Sequence, residues 1–168
     1  MKKEIKLYNI IFPIWMLVMF PPTWIVILPA NFIIDSIVFL IALKFIIKNI
    51  DIRKNYRKTI LKVWSLGFAA DIVGTLTLFI VQTGFCNMGN EVINQLEAIY
   101  WNPLDNPYAF LYVSFAITIS AILIFIFNYK ISFKNVDLNN IEKIKVSLTL
   151  AILTAPYTFL LPTEMFYN

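Results

Sequence analysis

One aspartate lies in the middle of an apolar stretch of this sequence, and it is the first residue to consider for chemistry. The stretch covers residues 60–83, and Asp71 is near its centre. On a helix, Gly67 and Gly74 fall on the same stripe as Asp71. The two glycines leave room for a neighbouring helix to approach the acid closely. A carboxyl group in such a place is costly to bury, which makes it a candidate proton or cation site.

The position of Asp71 allows three interpretations. The carboxyl group can hydrogen-bond to a hydroxyl on a neighbouring helix, bind a proton or cation in transit, or hold two chains together. No Lys or Arg lies within the apolar segments at a similar depth to pair with it. The sequence alone does not choose among the three.

Other apolar segments carry similar stripes of small and polar residues. Such stripes predict either close helix packing or a polar path through a helical bundle. With the helix boundaries preferred below, Asp35 lies only ~6 Å from a helix end, where a capping role is expected. The candidate intramembrane polar site consists of Asp71, Asp35, Asn31, Thr118 and Thr154.

Two of these segments resemble motifs of lipoprotein signal peptidases, which are also small proteins with several membrane helices. The family motifs are Asn-x-x-Asp and Phe-Asn-x-Ala-Asp. Here the first segment, 31–35, has one residue more, and the second, 68–71, lacks the Asn. The resemblance implies an aspartic dyad, whose carboxyl groups must lie ~3 Å apart. The helix boundaries preferred below separate them by ~10 Å in depth, so an aspartic intramembrane hydrolase is a remote alternative. Only a first turn at Pro21-Pro22 would bring Asp35 to the level of Asp71.

The composition predicts an integral membrane protein with one domain over residues 1–168. Hydrophobic residues make up 60% of the chain and charged residues 14%, whereas charged residues form about 25% of a soluble domain. The chain has no histidine, and Cys86 is its one cysteine. An internal disulfide is therefore excluded, and the common ligand sets for zinc, haem and iron–sulfur clusters are missing. We predict no cofactor, no metal and no catalytic activity.

Apolar runs of about 20 residues predict an all-α fold, a polytopic bundle of five transmembrane helices. A polar outer loop over 84–107 separates the third helix from the fourth. The five predicted helices lie near 7–28, 31–48, 60–83, 108–128 and 146–162.

The turn between the first two helices has two possible positions, and a four-helix bundle is the alternative fold. A turn at residues 28–31, which contain Pro29, divides the apolar run more evenly than one at Pro21-Pro22. The first position is preferred, and Pro21-Pro22 then becomes a kink.

Positive charge predicts the orientation. All 14 Lys and Arg residues fall in the N-terminus, in 44–62 or in 130–145. The positive-inside rule places these segments in the cytoplasm and the C-terminus outside. Their charge then faces anionic lipid headgroups, which we predict as a partner in place of nucleic acid. The predicted location is a bacterial cytoplasmic membrane.

Two functional classes follow from these features. The first is a non-catalytic subunit or accessory protein of a larger membrane assembly. The alternative is an oligomeric transporter or channel-like protein that uses Asp71 as its proton or cation site, because five short helices are few for a complete carrier.

Overall fold

The computed structural model describes residues 17–18, 21–47, 51–85 and 97–166, with side chains placed except at 81–85 and 166. Within these ranges the chain is helical and contains no β-strand, so the predicted all-α class is confirmed for this part of the chain. Four helices longer than five residues are fully described: α1 (Trp24–Ile46), α2 (Ile52–Phe85), α3 (Pro107–Phe127) and α4 (Asn140–Leu153).

Three segments of the described chain are long and apolar enough to span a membrane. They are Pro21–Ile46, Ile52–Ile80 and Pro107–Ser132. The fourth helix, α4, has 14 residues and a length of ~21 Å, which is shorter than the ~30 Å hydrocarbon layer of a bilayer. The described residues therefore supply three candidate spans of the five that were predicted. The first predicted helix, 7–28, lies mostly outside the described residues.

The predicted turn at residues 28–31 is wrong. Helix α1 runs through this segment without interruption and contains Pro29 as its sixth residue. It begins at Trp24, directly after a 3-10 turn over Pro21–Thr23. Two successive prolines lack two backbone N–H donors, so a helix starts after them more easily than it runs through them.

Hydrogen bonds hold the first turns of α1 on both sides of its start. The indole of Trp64 on α2 donates a hydrogen bond to the carbonyl of Leu28 at 3.0 Å. This bond joins α1 to α2 next to Pro29, whose missing N–H leaves the Ile25 carbonyl, one turn earlier, without its intrahelical donor. Before the helix, Thr23 donates to the carbonyl of Leu17 and the Trp24 indole donates to the carbonyl of Val18 at 2.8 Å. These bonds fix the start of α1.

Helices α1 and α2 form an antiparallel hairpin joined by aromatic pairs. The rings of Phe32 and Trp64 meet edge to face at 5.8 Å. Helix α2 has 34 residues and starts eight residues before the predicted position of 60. The first turns of α2 carry basic residues. The sequence predicted most of this basic segment to lie before the helix, whereas the structure shows it as helix. The basic residues are Arg53, Lys54, Arg57, Lys58 and Lys62.

Helices α2 and α3 pack closely through small residues. Gly74 lies so near α3 that a Cβ atom there would stand 2.1 Å from the Ser120 hydroxyl and 3.2 Å from the Ala116 carbonyl oxygen. The Ser120 hydroxyl donates to the Ala70 carbonyl at 3.1 Å. Small residues at a helix interface allow this close approach. The two glycines of the predicted stripe on α2 therefore contact different helices: Gly74 faces α3 and Gly67 faces α1.

Helix α3 agrees with its predicted range of 108–128 to within one residue. Asn106 caps its N-terminus and accepts a bond from the backbone N–H of Tyr108 at 2.9 Å. The last predicted helix, 146–162, differs more. Helix α4 begins six residues earlier, because Asn139 and Glu142 form a capping box, and it ends at Leu153. Two 3-10 turns follow, Tyr157–Leu160 and Thr163–Phe166.

The predicted outer loop, 84–107, is described only in part. Residues 97–101 are helical. Residues 86–96 lie outside the described residues.

Candidate carboxylate site

Four of the five predicted site residues line one cavity. The cavity has a volume of about 410 Å³ and lies between the N-terminal half of α1, the middle of α2 and the chain that follows α4. Asn31 and Asp35 come from α1, Asp71 comes from α2, and Thr154 follows the last residue of α4. Three elements that are distant in the sequence therefore bring their polar side chains to one place.

Asp71 is buried, with 8% of its surface exposed. Its Oδ2 atom accepts a long hydrogen bond of 3.5 Å from the amide of Asn31. Its Oδ1 atom is buried and has no hydrogen-bond partner among the described residues. Nearly all buried polar atoms in proteins are hydrogen-bonded, because an unpaired one is costly. A proton on this carboxyl group would remove the cost of a buried charge, whereas a water molecule or cation would need the neighbouring side chains to move.

Asp35 is the second carboxyl group of the cavity and is also buried, at 6% exposure. It faces Gly67, where a Cβ atom would lie 3.4 Å from the Asp35 Oδ2. The Thr154 side chain interacts with Asp35, and the charge of Asp35 acts on Asp71. The expected capping role is wrong, because Asp35 lies in the interior of α1 and not in its first turn.

The helix register sets the separation of the two acids. Asp35 lies opposite Gly67, and Asn31 lies opposite Asp71. In an antiparallel pair this offset corresponds to about one helical turn, or ~6 Å along the axis. This axial offset is smaller than the ~10 Å predicted from the sequence, and both acids line the same cavity. A catalytic dyad requires the carboxyl groups themselves to lie ~3 Å apart.

The end of α4 and the chain that follows it form another wall of the same cavity. Residues 153–159 line one wall, where the helix stops before Pro156. Thr154 donates its hydroxyl to the Leu150 carbonyl at 2.8 Å. The C-terminal end of a helix carries partial negative charge and favours cations. Irregular backbone next to a cavity, close to carboxyl groups, is a feature of membrane ion sites.

The electrostatic balance of the cavity is negative. None of the described residues that line it is Lys or Arg. Two acids without a basic partner repel each other when both are ionised, so the arrangement favours uptake of at least one positive ion or proton. Among the described residues, His, Cys, Asp and Glu form no group of three or more that could hold a metal ion.

Thr118 does not join the other four residues. It is exposed, and its hydroxyl donates to the Ser114 carbonyl at 2.8 Å. It lines a different, mostly apolar cavity of about 520 Å³ between α3 and α4. Apart from Thr154, the cavity wall formed by residues 153–159 was not identified from the sequence. Pro156 could have indicated this wall, because it shortens the last apolar run and α4 ends before it, beside the acids.

The fold and the site define a helical protein with three potential membrane spans and a buried pair of carboxyl groups. The sequence matches no protein-family model, and comparisons with curated proteins and with solved structures find no match.

Proposed function

We propose that this chain is a polytopic membrane protein that moves a proton or a monovalent cation, with Asp71 and Asp35 as its binding site. One observation carries the proposal: Asp71, whose Oδ1 is buried without a partner among the described residues, lines a cavity with a second carboxyl group, and none of the described lining residues is basic. A purely structural aspartate would be expected to have both oxygens hydrogen-bonded. The fixed oxygen ligands suit small hard cations and protons.

The depth of the two acids supports the same function. Asp35 lies nine residues before Lys44, and Asp71 lies nine residues after Lys62. Nine residues of helix correspond to ~13 Å, close to half the ~30 Å thickness of the hydrocarbon layer. The register above places Lys44 opposite Lys58 and Lys62 about one turn deeper, so with Lys44 and Lys58 at the inner surface Asp35 lies ~13 Å deep and Asp71 ~19 Å deep, both within the hydrocarbon layer. Ionisable groups at that depth belong to ion pathways more often than to packing.

In this function the chain is non-catalytic and belongs to an assembly. Transport requires no covalent chemistry, and an axial offset of about one turn between the two acids is compatible with it. A single copy of so small a bundle offers few helices for alternating access. The chain therefore acts as a subunit, either of a homo-oligomer or of a larger membrane assembly in a bacterial cytoplasmic membrane.

The proposed function is tested by ion uptake into lipid vesicles that contain the purified chain. Vesicles with the parent should take up protons, Na⁺ or K⁺ in response to a gradient, with a rate that saturates. Vesicles with the double variant Asp35→Asn/Asp71→Asn should take up no more than empty vesicles. Equal uptake by the parent and the double variant would contradict the proposal.

The orientation gives a separate prediction, tested with single cysteines in a Cys86→Ser background. Lys54, Lys134 and Leu104 are all exposed, so burial does not limit labelling at these positions. With the basic segments in the cytoplasm, a membrane-impermeant thiol reagent added to intact cells should label Leu104→Cys only. Lys54→Cys and Lys134→Cys should react after the membrane is permeabilised. Labelling of Lys54→Cys from outside would reverse the proposed orientation.

A further inference from the structure

A second polar pocket lies near the N-terminal end of α2, separate from the carboxylate cavity. Its volume is about 230 Å³. It lies where the basic first turns of α2 give way to the apolar part of the helix, which begins after Lys62. None of its six lining residues is acidic. They are Lys58, Thr59, Lys62, Ser132, Asn135 and Val136.

The wall of this pocket opposite α2 is held in place by packing. It follows α3 as a π-helical turn, Asn128–Ser132, in which the Phe133 backbone N–H donates to the Asn128 carbonyl at 3.0 Å. Phe133 is fully buried and stacks on Phe39 of α1 at 5.6 Å. Ser132 and Asn135 therefore stand on a fixed segment, and the pocket is preformed.

Ser132 is the residue that indicates a ligand. It is buried, with 3% of its surface exposed, and its hydroxyl has no hydrogen-bond partner among the described residues. A buried hydroxyl without a partner is costly, and such groups in native proteins usually bind something. The residue lines the pocket opposite the lysines of α2.

The lysines supply the charge that such a ligand must match. Lys58 and Lys62 are four residues apart and share one face of α2, about one turn or ~6 Å from each other. Both are exposed, so their ammonium groups are free to turn toward the pocket. An anion with several acceptor oxygens can contact both ammonium groups together, and also the Ser132 hydroxyl once that side chain turns toward the pocket.

We propose that this pocket binds a phosphate group, supplied by an anionic phospholipid headgroup or by free inorganic phosphate. Two ammonium groups, a buried hydroxyl and the Asn135 amide offer more donors than one carboxylate can accept, whereas a phosphate accepts from all sides. The site lies at the border of the basic and apolar parts of α2, the level at which lipid phosphates contact membrane helices. It is independent of the carboxylate cavity.

The test uses the whole chain in lipid nanodiscs and two probes. In the first arm, nanodiscs of phosphatidylcholine with increasing phosphatidylglycerol are examined by native mass spectrometry for retained phosphatidylglycerol. In the second arm, inorganic phosphate is titrated calorimetrically into nanodiscs of phosphatidylcholine alone. Retained phosphatidylglycerol with no phosphate signal assigns the site to a lipid headgroup. Phosphate binding in the second arm assigns it to free phosphate.

Three variants decide whether the pocket is responsible. Ser132→Ala removes no protein hydrogen bond, so it should fold normally and weaken binding roughly tenfold. Lys58→Gln/Lys62→Gln should abolish binding. The control Lys130→Gln/Lys145→Gln removes the same charge from exposed positions outside the pocket and should bind as the parent does. The proposal is overturned if neither probe binds, if Ser132→Ala binds like the parent, or if the control loses as much as the pocket variant.

Discussion

Replacing Asp71 by Asn is expected to abolish ion uptake while the protein stays folded. Asn has the size of Asp, and its side-chain oxygen can still accept the bond that Asn31 now donates to Asp71 Oδ2. The free energy of unfolding should therefore change by less than about 1 kcal/mol. The side chain can no longer bind a proton or neutralise a cation, so uptake into vesicles should fall to the level of empty vesicles.

A second substitution at the same position separates transport from packing. Asp71→Leu leaves the Asn31 amide without its acceptor in an apolar setting, which should destabilise the fold by roughly 1–3 kcal/mol. The control Asp137→Asn changes an exposed aspartate and should alter neither property. Stability is measured by unfolding in mixed micelles and uptake by the vesicle assay. Normal uptake by a folded Asp71→Asn protein would exclude the transport role of this residue.

Replacing Gly74 by Ala is expected to cause the largest loss of stability from a single added methyl group. The new Cβ atom would lie 2.1 Å from the Ser120 hydroxyl and 3.2 Å from both the Ala116 carbonyl oxygen and the Phe159 ring. Rotating Ser120 away would break its bond to the Ala70 carbonyl, so α2 and α3 must separate. Overpacking of this kind typically costs about 1–3 kcal/mol, measurable as a lower unfolding free energy in mixed micelles.

Gly67 supplies the matched control for this prediction. An alanine there meets only Asp35 Oδ2, at an ordinary contact distance of 3.4 Å. Since Ala is favoured over Gly in a helix by about 1 kcal/mol, Gly67→Ala should not destabilise the fold. The double variant Gly74→Ala/Ser120→Ala removes the closest contact and should regain part of the lost stability. Equal stability of the two single alanine variants would contradict the close packing of α2 on α3.

The sequence predicted helices best where strong local signals mark their ends. Asn106 and Pro107 form a capping residue and a favoured first helical residue, so the start of α3 was placed to within one residue. The start of α2 was placed too late because hydropathy detects the apolar part of a helix only. The basic turns before the apolar part are helical as well, but a search for apolar runs of membrane-spanning length does not detect them.

The candidate site depended on a choice that local signals do not decide. Both Pro29 and Pro21-Pro22 indicate a possible turn, and even division of the apolar run favoured the wrong one. The bond from Trp64 to the Leu28 carbonyl, which joins α1 to α2 beside Pro29, connects residues 36 positions apart. Sequence periodicity identified Asp71 and Asp35 as candidates. That both acids line one cavity depends on long-range contacts between α1 and α2 and on the continuity of α1 through Pro29.

The most direct test of the account is whether Asp71 exchanges its ion with water. A carbodiimide that reacts with protonated carboxyl groups in membranes is applied to the reconstituted protein, and the modified residue is located by mass spectrometry. We expect Asp71 to be modified, and the modification to decrease as the pH rises or as Na⁺ or K⁺ is added at constant pH. Modification of Asp71 that changes with neither pH nor cation concentration would contradict an ion-binding role for the carboxylate pair.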